Sequence, residues 1–264
     1  MGLAVFDGMM AYGNGAAFHV LRKRKHVERL VSGASNLGFA PRYTVDEISE
    51  AIDALLESLD PRDTYYIRPI AYRGSQHLWL TEIDDVPVDL AIIAAPAVRN
   101  VDAGLRMQVS RYQRVSSAAM PVQWKTAGSY VNSYLCRQTA AADGYDDGIM
   151  LDDRGRLAEA SAANLFLVRG ETVLTPALNG DVFPGITRGL ILDLADTLGV
   201  ELIEQALYPS DLTTADAAFI GSTLMEMRPL DEVGGVRLNS SENVSWSRLK
   251  SAFRDVTASP SGMV

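Results

Sequence analysis

Four short segments carry residue types that can do chemistry. The first is Gln123-Trp124-Lys125-Thr126-Ala127-Gly128-Ser129-Tyr130, where a lysine stands between a strand-like stretch and a turn of small residues. A lysine amine attacks carbonyl carbons once it has lost its proton, although a lone lysine is usually a surface residue. The second is Glu159-Ala160-Ser161-Ala162-Ala163-Asn164-Leu165-Phe166, one carboxylate followed by small residues and then a strand. The third is Phe183-Pro184-Gly185-Ile186-Thr187-Arg188, just ahead of a helix that begins near Thr187. The first N–H groups of a helix lack partners within it, and together with the helix dipole they cradle an anion. The fourth is Gly221-Ser222-Thr223, after the apolar run Ala218-Phe219-Ile220, where hydroxyls and N–H groups can meet a ligand. Singly, each is a weak signal, since most helix starts bind nothing.

Other motifs read as structural. Arg22-Lys23-Arg24-Lys25 reads as a solvated loop before a helix, because the whole chain opposes polyanion binding: 24 basic against 33 acidic residues give 24 − 33 = −9. That balance argues against a duplex nucleic-acid partner. Asp143-Gly144-Tyr145-Asp146-Asp147-Gly148 reads as a plain turn, since a calcium loop wants a late Glu where Arg154 stands. The single cysteine, Cys136, excludes an internal disulfide and a Cys-rich zinc site. His19, His26 and His77 are too scattered for a helical metal pair, so no metal is expected. No apolar run approaches the roughly 20 residues of a membrane helix, and the start lacks the basic region of a signal peptide. A cytoplasmic, membrane-free protein is the default expectation.

The positioning elements follow from periodicity. In the first half, Val5–Tyr12 reads as a strand, Gly13-Asn14-Gly15 as a turn and Ala17–Val20 as a second strand. Val27, Leu30, Val31 and Ala34 have helical spacing. Thr44-Val45-Asp46-Glu47 is a capping box, followed by a helical stripe of Ile48, Ala51, Ile52, Leu55, Leu56 and Leu59. Thr64–Tyr72 and Val88–Ala94 read as buried strands. The polar segment 99–123, with Arg106, Arg111 and Arg114, marks the domain boundary. The expected organisation is a small domain over 1–98, a linker over 99–107 and a large domain over 108–264 that anchors the cofactor named below. In the second half, strands are expected at Gly148–Leu151, Leu165–Val168, Val173–Thr175, Glu201–Leu207 and Ala217–Ile220. Helices are expected after Ser129, over Leu190–Leu198 with Gly199 as its stop, and over Glu242–Val256, with a frayed tail from 258.

Taken in order, the motifs resemble the class IV, fold-type IV pyridoxal-phosphate enzymes, and among them the branched-chain aminotransferases. The series is Val5-Phe6-Asp7-Gly8, His26-Val27-Glu28-Arg29-Leu30, Tyr66-Ile67-Arg68-Pro69, Lys125 to Tyr130, Glu159 to Phe166, Phe183 to Arg188, and Ser222-Thr223. It covers nearly the whole chain. The spacing from Glu159 through Asn164 and Thr175 to Gly185 and Arg188 is close to the family signature, with Phe183 where an aliphatic residue is usual.

The resemblance implies an α+β fold of the D-amino-acid-aminotransferase type: a small N-terminal sheet-and-helix domain and a larger C-terminal domain with a barrel-like sheet. It implies pyridoxal 5'-phosphate as cofactor and a homodimer. By this likeness Lys125 bonds covalently to the cofactor aldehyde and moves the substrate proton, and Glu159 faces the pyridine nitrogen. Tyr130 meets the cofactor phenolate oxygen. Arg29, the N–H groups of Ile186 and Thr187, and Ser222 and Thr223 hold the phosphate. Tyr66, Arg68 and the backbone of Thr223 and Leu224 meet substrate carboxylates, while Phe6 and Gly8 line the side-chain pocket. The implied reaction is a ping-pong amino transfer between a branched-chain L-amino acid and 2-oxoglutarate; the small-molecule partners are amino acids and 2-oxo acids.

Three features depart from the family: Asp7 replaces the usual Glu, Met9-Met10 replace the common Ile-Arg, and Met1 stands where a pocket tyrosine is usual. The family also places about 30 residues ahead of Val5-Phe6, so either the chain is shortened, in which case the first sheet loses strands and the pocket a wall, or its start is assigned downstream of the true one. The competing readings are D-amino-acid transfer, (R)-amine transfer, aminodeoxychorismate lysis, an inactive cofactor-binding protein, and a binder of phosphate ligands. The Tyr66-Ile67-Arg68-Pro69 motif favours the branched-chain activity over the other transfers.

Overall fold

The computed structural model describes residues 2–39, 42–74, 88–98 and 100–258. Met1, His77 and the expected frayed tail beyond 258 lie outside the described residues. Two compact units emerge. The first takes the described residues up to Val98 together with Gln123–Gly128; the second takes those from 100 to Val122 and from Ser129 onward.

The first unit contains β1 (Ala4–Phe6), β2 (Met9–Gly13), β3 (Phe18–Val20), α1 (Lys23–Asn36), α2 (Val45–Glu57), β4 (Thr64–Arg73) and β5 (Val88–Pro96). Its antiparallel sheet runs β1-β4-β2-β3, with β5 on the other edge of β4. The strand expected over Val5–Tyr12 is interrupted at Asp7-Gly8. Phe6 lies opposite Ile70 and Met9 opposite Ile67, so the register continues and puts Asp7 opposite Pro69. The Asp7 N–H donates to the Pro69 carbonyl at 3.0 Å, but a proline returns no N–H and the ladder opens there. One face of the sheet buries Val5, Met9, Ala11, Ile67 and Ala71 against Val27, Leu30 and Ala34 of α1 and Ile48, Ile52 and Leu56 of α2.

The capping box forms as expected. Thr44 Oγ1 accepts from the Glu47 N–H at 3.2 Å, and the Glu47 carboxylate accepts from the Thr44 N–H at 2.8 Å. Thr44→Ala should lower stability by about 1 kcal/mol, read from urea unfolding; an unchanged midpoint would mean that packing alone sets the start of α2. The basic cluster is not a loop. Lys23, Arg24 and Lys25 form the first turn of α1, where Lys23 pairs with Asp53 and Arg24 with Glu28 and Asp46. Acidic residues on α2 offset what the helix dipole opposes.

The second unit contains β6 (Leu105–Val109), α3 (Tyr130–Ala142), β7 (Asp147–Leu151), β8 (Leu157–Ala160), β9 (Asn164–Arg169), β10 (Thr172–Pro176), α4 (Ile186–Leu198), β11 (Leu202–Gln205), α5 (Pro209–Leu212), β12 (Ala217–Ser222), β13 (Glu226–Val233), β14 (Val236–Arg237) and α6 (Val244–Ala258). Strands β9-β12-β13-β6-β7-β8 follow one another side by side, and β8 pairs back onto β9. The sheet is thereby a closed, barrel-like ring, and the pair that closes it is Glu159 opposite Asn164. Leu165 and Leu167, Ala218 and Ile220, Leu230, Met107 and Ile149 share its core. Phe166 of β9 stacks on Phe219 of β12 at 4.8 Å, and Trp246 of α6 leans on Phe219 at 5.0 Å. Period-2 alternation thus serves two apolar layers, which is why these strands read as continuous apolar runs.

Two boundaries differ from expectation. Residues 99–107 are not a linker throughout, because β6 begins at Leu105 and pairs in parallel with β7 and β13. Its alternation was hidden by Arg106 and Gln108 on the other face. The segment carrying Lys125 groups with the first unit rather than with the large domain. Val5 bridges to Thr126, the Phe6 N–H donates to the Lys125 carbonyl at 3.3 Å, and Gly33 of α1 lets the Trp124 carbonyl approach.

Candidate functional site

In the first unit the site is built around the opening between β1 and β2. Phe6 is the last residue of β1 and its ring faces two cations. Lys125 Nζ lies 5.2 Å from the ring centroid, and so does the Arg68 guanidinium carbon. Arg68 also lies 5.1 Å from the Tyr66 ring centroid and donates to the Tyr66 hydroxyl at 3.4 Å. Lys125 has a left-handed backbone, φ 53°, a conformation that costs a non-glycine residue of order 1 kcal/mol. Gly8 is required by Tyr66: a Cβ there would sit 1.9 Å from the Tyr66 hydroxyl oxygen. Phe6, Gly8, Tyr66, Arg68 and Lys125 are thus brought together, as the motifs imply. Where the family commonly has an arginine, Met10 is buried on β2 opposite Tyr66.

Beside them lies a network that the motifs did not announce. The fully buried Asp7 carboxylate accepts from Arg29 Nε at 2.7 Å and Nη2 at 2.9 Å, from His26 Nδ1 at 2.7 Å, and from the Gly8 N–H at 2.7 Å. Burial opposes its ionisation, but the Arg29 guanidinium and the His26 ring outweigh burial and hold the carboxyl well below the usual carboxylate range. Burial likewise pushes the His26 imidazole below its ordinary value, against the pull of Asp7. An ionised carboxylate only accepts, so the Nδ1 of His26 carries the hydrogen.

In the second unit the ring closure carries the acid. The Glu159 carboxylate, 5% exposed as a residue, lies 2.6 Å from Arg114 Nε, itself from a buried side chain. Its other oxygen accepts from Asn164 Nδ2 and from the Phe183 N–H, both at 3.2 Å. Asn164 Nδ2 also donates to the Phe183 carbonyl at 2.9 Å. This ties the acid to the turn that starts α4. Gly185 caps α4 without any side-chain hydrogen bond, and a Cβ at Gly185 would meet Asn164 Oδ1 at 2.2 Å. The N–H groups of Ile186 and Thr187 open the helix, so they have no intrahelical acceptor. Gly221, at the end of β12, lies against α4: its Cβ would stand 2.6 Å from Ile191 and 3.6 Å from Thr187. Ser222 therefore ends, and Thr223 directly follows, the strand that touches α4. Ser222 Oγ also accepts from the Met225 N–H at 3.2 Å. Leu224 is exposed and Tyr130 is the first residue of α3.

An amine and a guanidinium on one apolar ring, a carboxylate braced by a guanidinium, and an open helix start suit a phosphorylated aromatic aldehyde. The chain's donor set meets its three functions: carbonyl, basic nitrogen and phosphate. Sequence reasoning passed over Arg114, Asn164, Asp7 and His26 as site residues. Asp7, His26 and Asn164 stand inside the motifs named above, whereas Arg114 has no local signal.

A family model described as amino-transferase class IV matches residues 4–233. The chain is 34% identical over 246 residues to a probable branched-chain-amino-acid aminotransferase of Aquifex aeolicus, covering 91% of this chain and 79% of that one. Its structure is similar to that of the branched-chain aminotransferase of the archaeon Thermoproteus uzoniensis with norvaline, with a TM-score of 0.92 and 32% identity, covering 98% of this chain and 87% of that one. It is also similar to the branched-chain amino acid aminotransferase of Thermobaculum terrenum in its PLP form, with a TM-score of 0.91 and 28% identity over 97% of this chain and 85% of that one. The α+β fold expected from the motifs is the one these structures share.

Proposed function

Because this chain belongs to the class IV aminotransferase family, we propose that it transfers an amino group between a branched-chain L-amino acid and 2-oxoglutarate, with pyridoxal 5'-phosphate as cofactor, in a ping-pong cycle. The observation that carries this reading is the Phe6 ring facing both Lys125 and Arg68. An amine, a carboxylate-binding guanidinium and an apolar surface are what an apolar 2-amino acid requires.

When bound, the cofactor supplies an aldehyde for the amine and a ring that accepts the electron pair left at the substrate Cα. Lys125 Nζ takes the proton from that Cα. Glu159 would face the ring nitrogen, and its brace on Arg114 would keep it from swinging away. Arg29, the Ile186 and Thr187 N–H groups, and the Ser222 and Thr223 hydroxyls would hold the phosphate, and Tyr130 would donate to the phenolate oxygen. Arg68 with Tyr66 meets one carboxylate and the Thr223 and Leu224 N–H groups another. Phe6 and Gly8 line the side-chain pocket.

Among the described residues no helix is long and apolar enough to cross a membrane; a cytoplasmic location accords with a biosynthetic transaminase. A homodimer is part of the proposal. Val131, Tyr134 and Leu135 form an exposed apolar stripe on α3, and light scattering of the full chain tests whether it is covered by a second copy.

The test is a donor panel on the reconstituted protein: L-Leu, L-Glu, D-Ala and (R)-1-phenylethylamine, each read as its carbonyl product. Turnover of L-Leu and L-Glu supports the proposal. Turnover of D-Ala without L-Leu moves the chain to D-amino-acid transfer, and bound cofactor without any product makes it a carrier. Within the same assay, Gly8→Ala should lower kcat/KM for L-Leu on the order of tenfold to a hundredfold, because the new methyl group displaces Tyr66 and with it Arg68. An unchanged kcat/KM would remove both side chains from substrate binding.

A further inference from the structure

We infer that Asp7 and His26 are positioning residues for Arg29, holding its guanidinium in the single orientation from which it meets a phosphate. The inference rests on the reading of Arg29 as a phosphate contact. Asp7 and His26 would act through Arg29 rather than on substrate or cofactor directly.

The geometry is specific. Arg29 and His26 are three residues apart on α1 and so share a face. Both reach the same carboxylate, which lies where Pro69 opens the strand ladder. Asp7 takes the Nε–Nη2 edge of Arg29 in a two-point grip, which fixes the plane in which the remaining N–H bonds lie. His26 Nδ1 and the Gly8 N–H both donate to Oδ1 of Asp7, which opposes rotation of the carboxylate. A buried carboxylate and guanidinium are a poor means of stabilising a fold, since apolar residues of similar volume do as well. Orientation is what such a network supplies beyond stability.

Asp7 also has an opposing effect. Its negative charge offsets that of Arg29 and weakens the Coulombic pull on a phosphate dianion. The charged residues around His26 include Asp7, Arg29 and Lys125. Positioning and neutralisation therefore predict opposite signs when the charge of Asp7 is removed, and this makes the inference decidable.

The experiment compares binding of pyridoxal 5'-phosphate with binding of pyridoxal, which lacks the phosphate, to the full chain stripped of cofactor, by fluorescence titration. Asp7→Asn should weaken pyridoxal phosphate about tenfold, the scale of one hydrogen bond to a charged group, while leaving pyridoxal unchanged. In an Arg29→Ala background the same substitution should add nothing. His26→Leu should give the same selective loss to a smaller extent, and His26→Asn, whose amide can still donate to Asp7, should restore most of it. The histidine pair keeps the inference testable if Asp7→Asn does not fold. Equal losses for both ligands, a loss that persists without Arg29, or tighter binding of pyridoxal phosphate would overturn it. A wild-type chain that binds neither ligand would overturn the cofactor assignment and this inference with it, a result distinct from selective binding that the variants do not alter.

Discussion

Lys125→Ala should abolish amino transfer, by roughly ten-thousandfold or more, and leave the fold intact. Borohydride treatment of the wild-type protein with its cofactor adds the cofactor's mass to the peptide that carries Lys125; the variant acquires none. Losing the cation over the Phe6 ring should cost about 1 kcal/mol, and alanine inherits the same left-handed backbone. Lys125→Arg sharpens the point. It keeps a cation near Phe6, but a guanidinium does not give up its proton at neutral pH, so it should be as inactive as the alanine variant. Retained turnover in either variant would mean that another amine does the chemistry.

Glu159→Gln should lower stability by about 3–5 kcal/mol and amino transfer by on the order of a hundredfold or more. The two losses have different origins, and a second substitution separates them. Glutamine still accepts from Asn164 and the Phe183 N–H, but it turns its amide toward Arg114. A buried guanidinium then faces a donor with no counter-charge. Arg114→Met combined with Glu159→Gln removes that conflict, and urea unfolding should recover to within about 1 kcal/mol of wild type. Amino transfer should not recover, because the carboxylate proposed to face the ring nitrogen would still be missing. Recovery of both would make Glu159 a structural residue alone.

How far these residues were legible depended on the range of the forces that place them. The α2 capping box, the Gly199 stop of α4 and the helix start at Ile186 are local: a few residues contain both donor and acceptor, or the one backbone that glycine adopts without strain. They could be read directly. The strand over Val5–Tyr12 was legible except at Asp7-Gly8, where the break depends on a proline some sixty residues later. Arg106 and Gln108 give the sequence of β6 the look of a polar connection, and only pairing with β7 and β13 reveals its apolar face. The basic cluster reads as a loop because two of the acids that answer it, Asp46 and Asp53, lie on the next helix.

The kinds of groups at the site, an amine, an acid, arginines and an open helix start, were written into the chain, since each is a matter of side-chain chemistry and local backbone. Which group braces which was not. Arg114 reaches Glu159 across 45 positions, and Asp7 reaches Arg29 across 22. Nothing in a linear string sets the length or direction of such a bond; the ring closure at Glu159–Asn164 and the opening opposite Pro69 do. Side-chain identity supplies the reactivity, and folding supplies the fixed distances, because hydrogen bonds and ion pairs act over a few ångströms while the residues that make them are many residues apart.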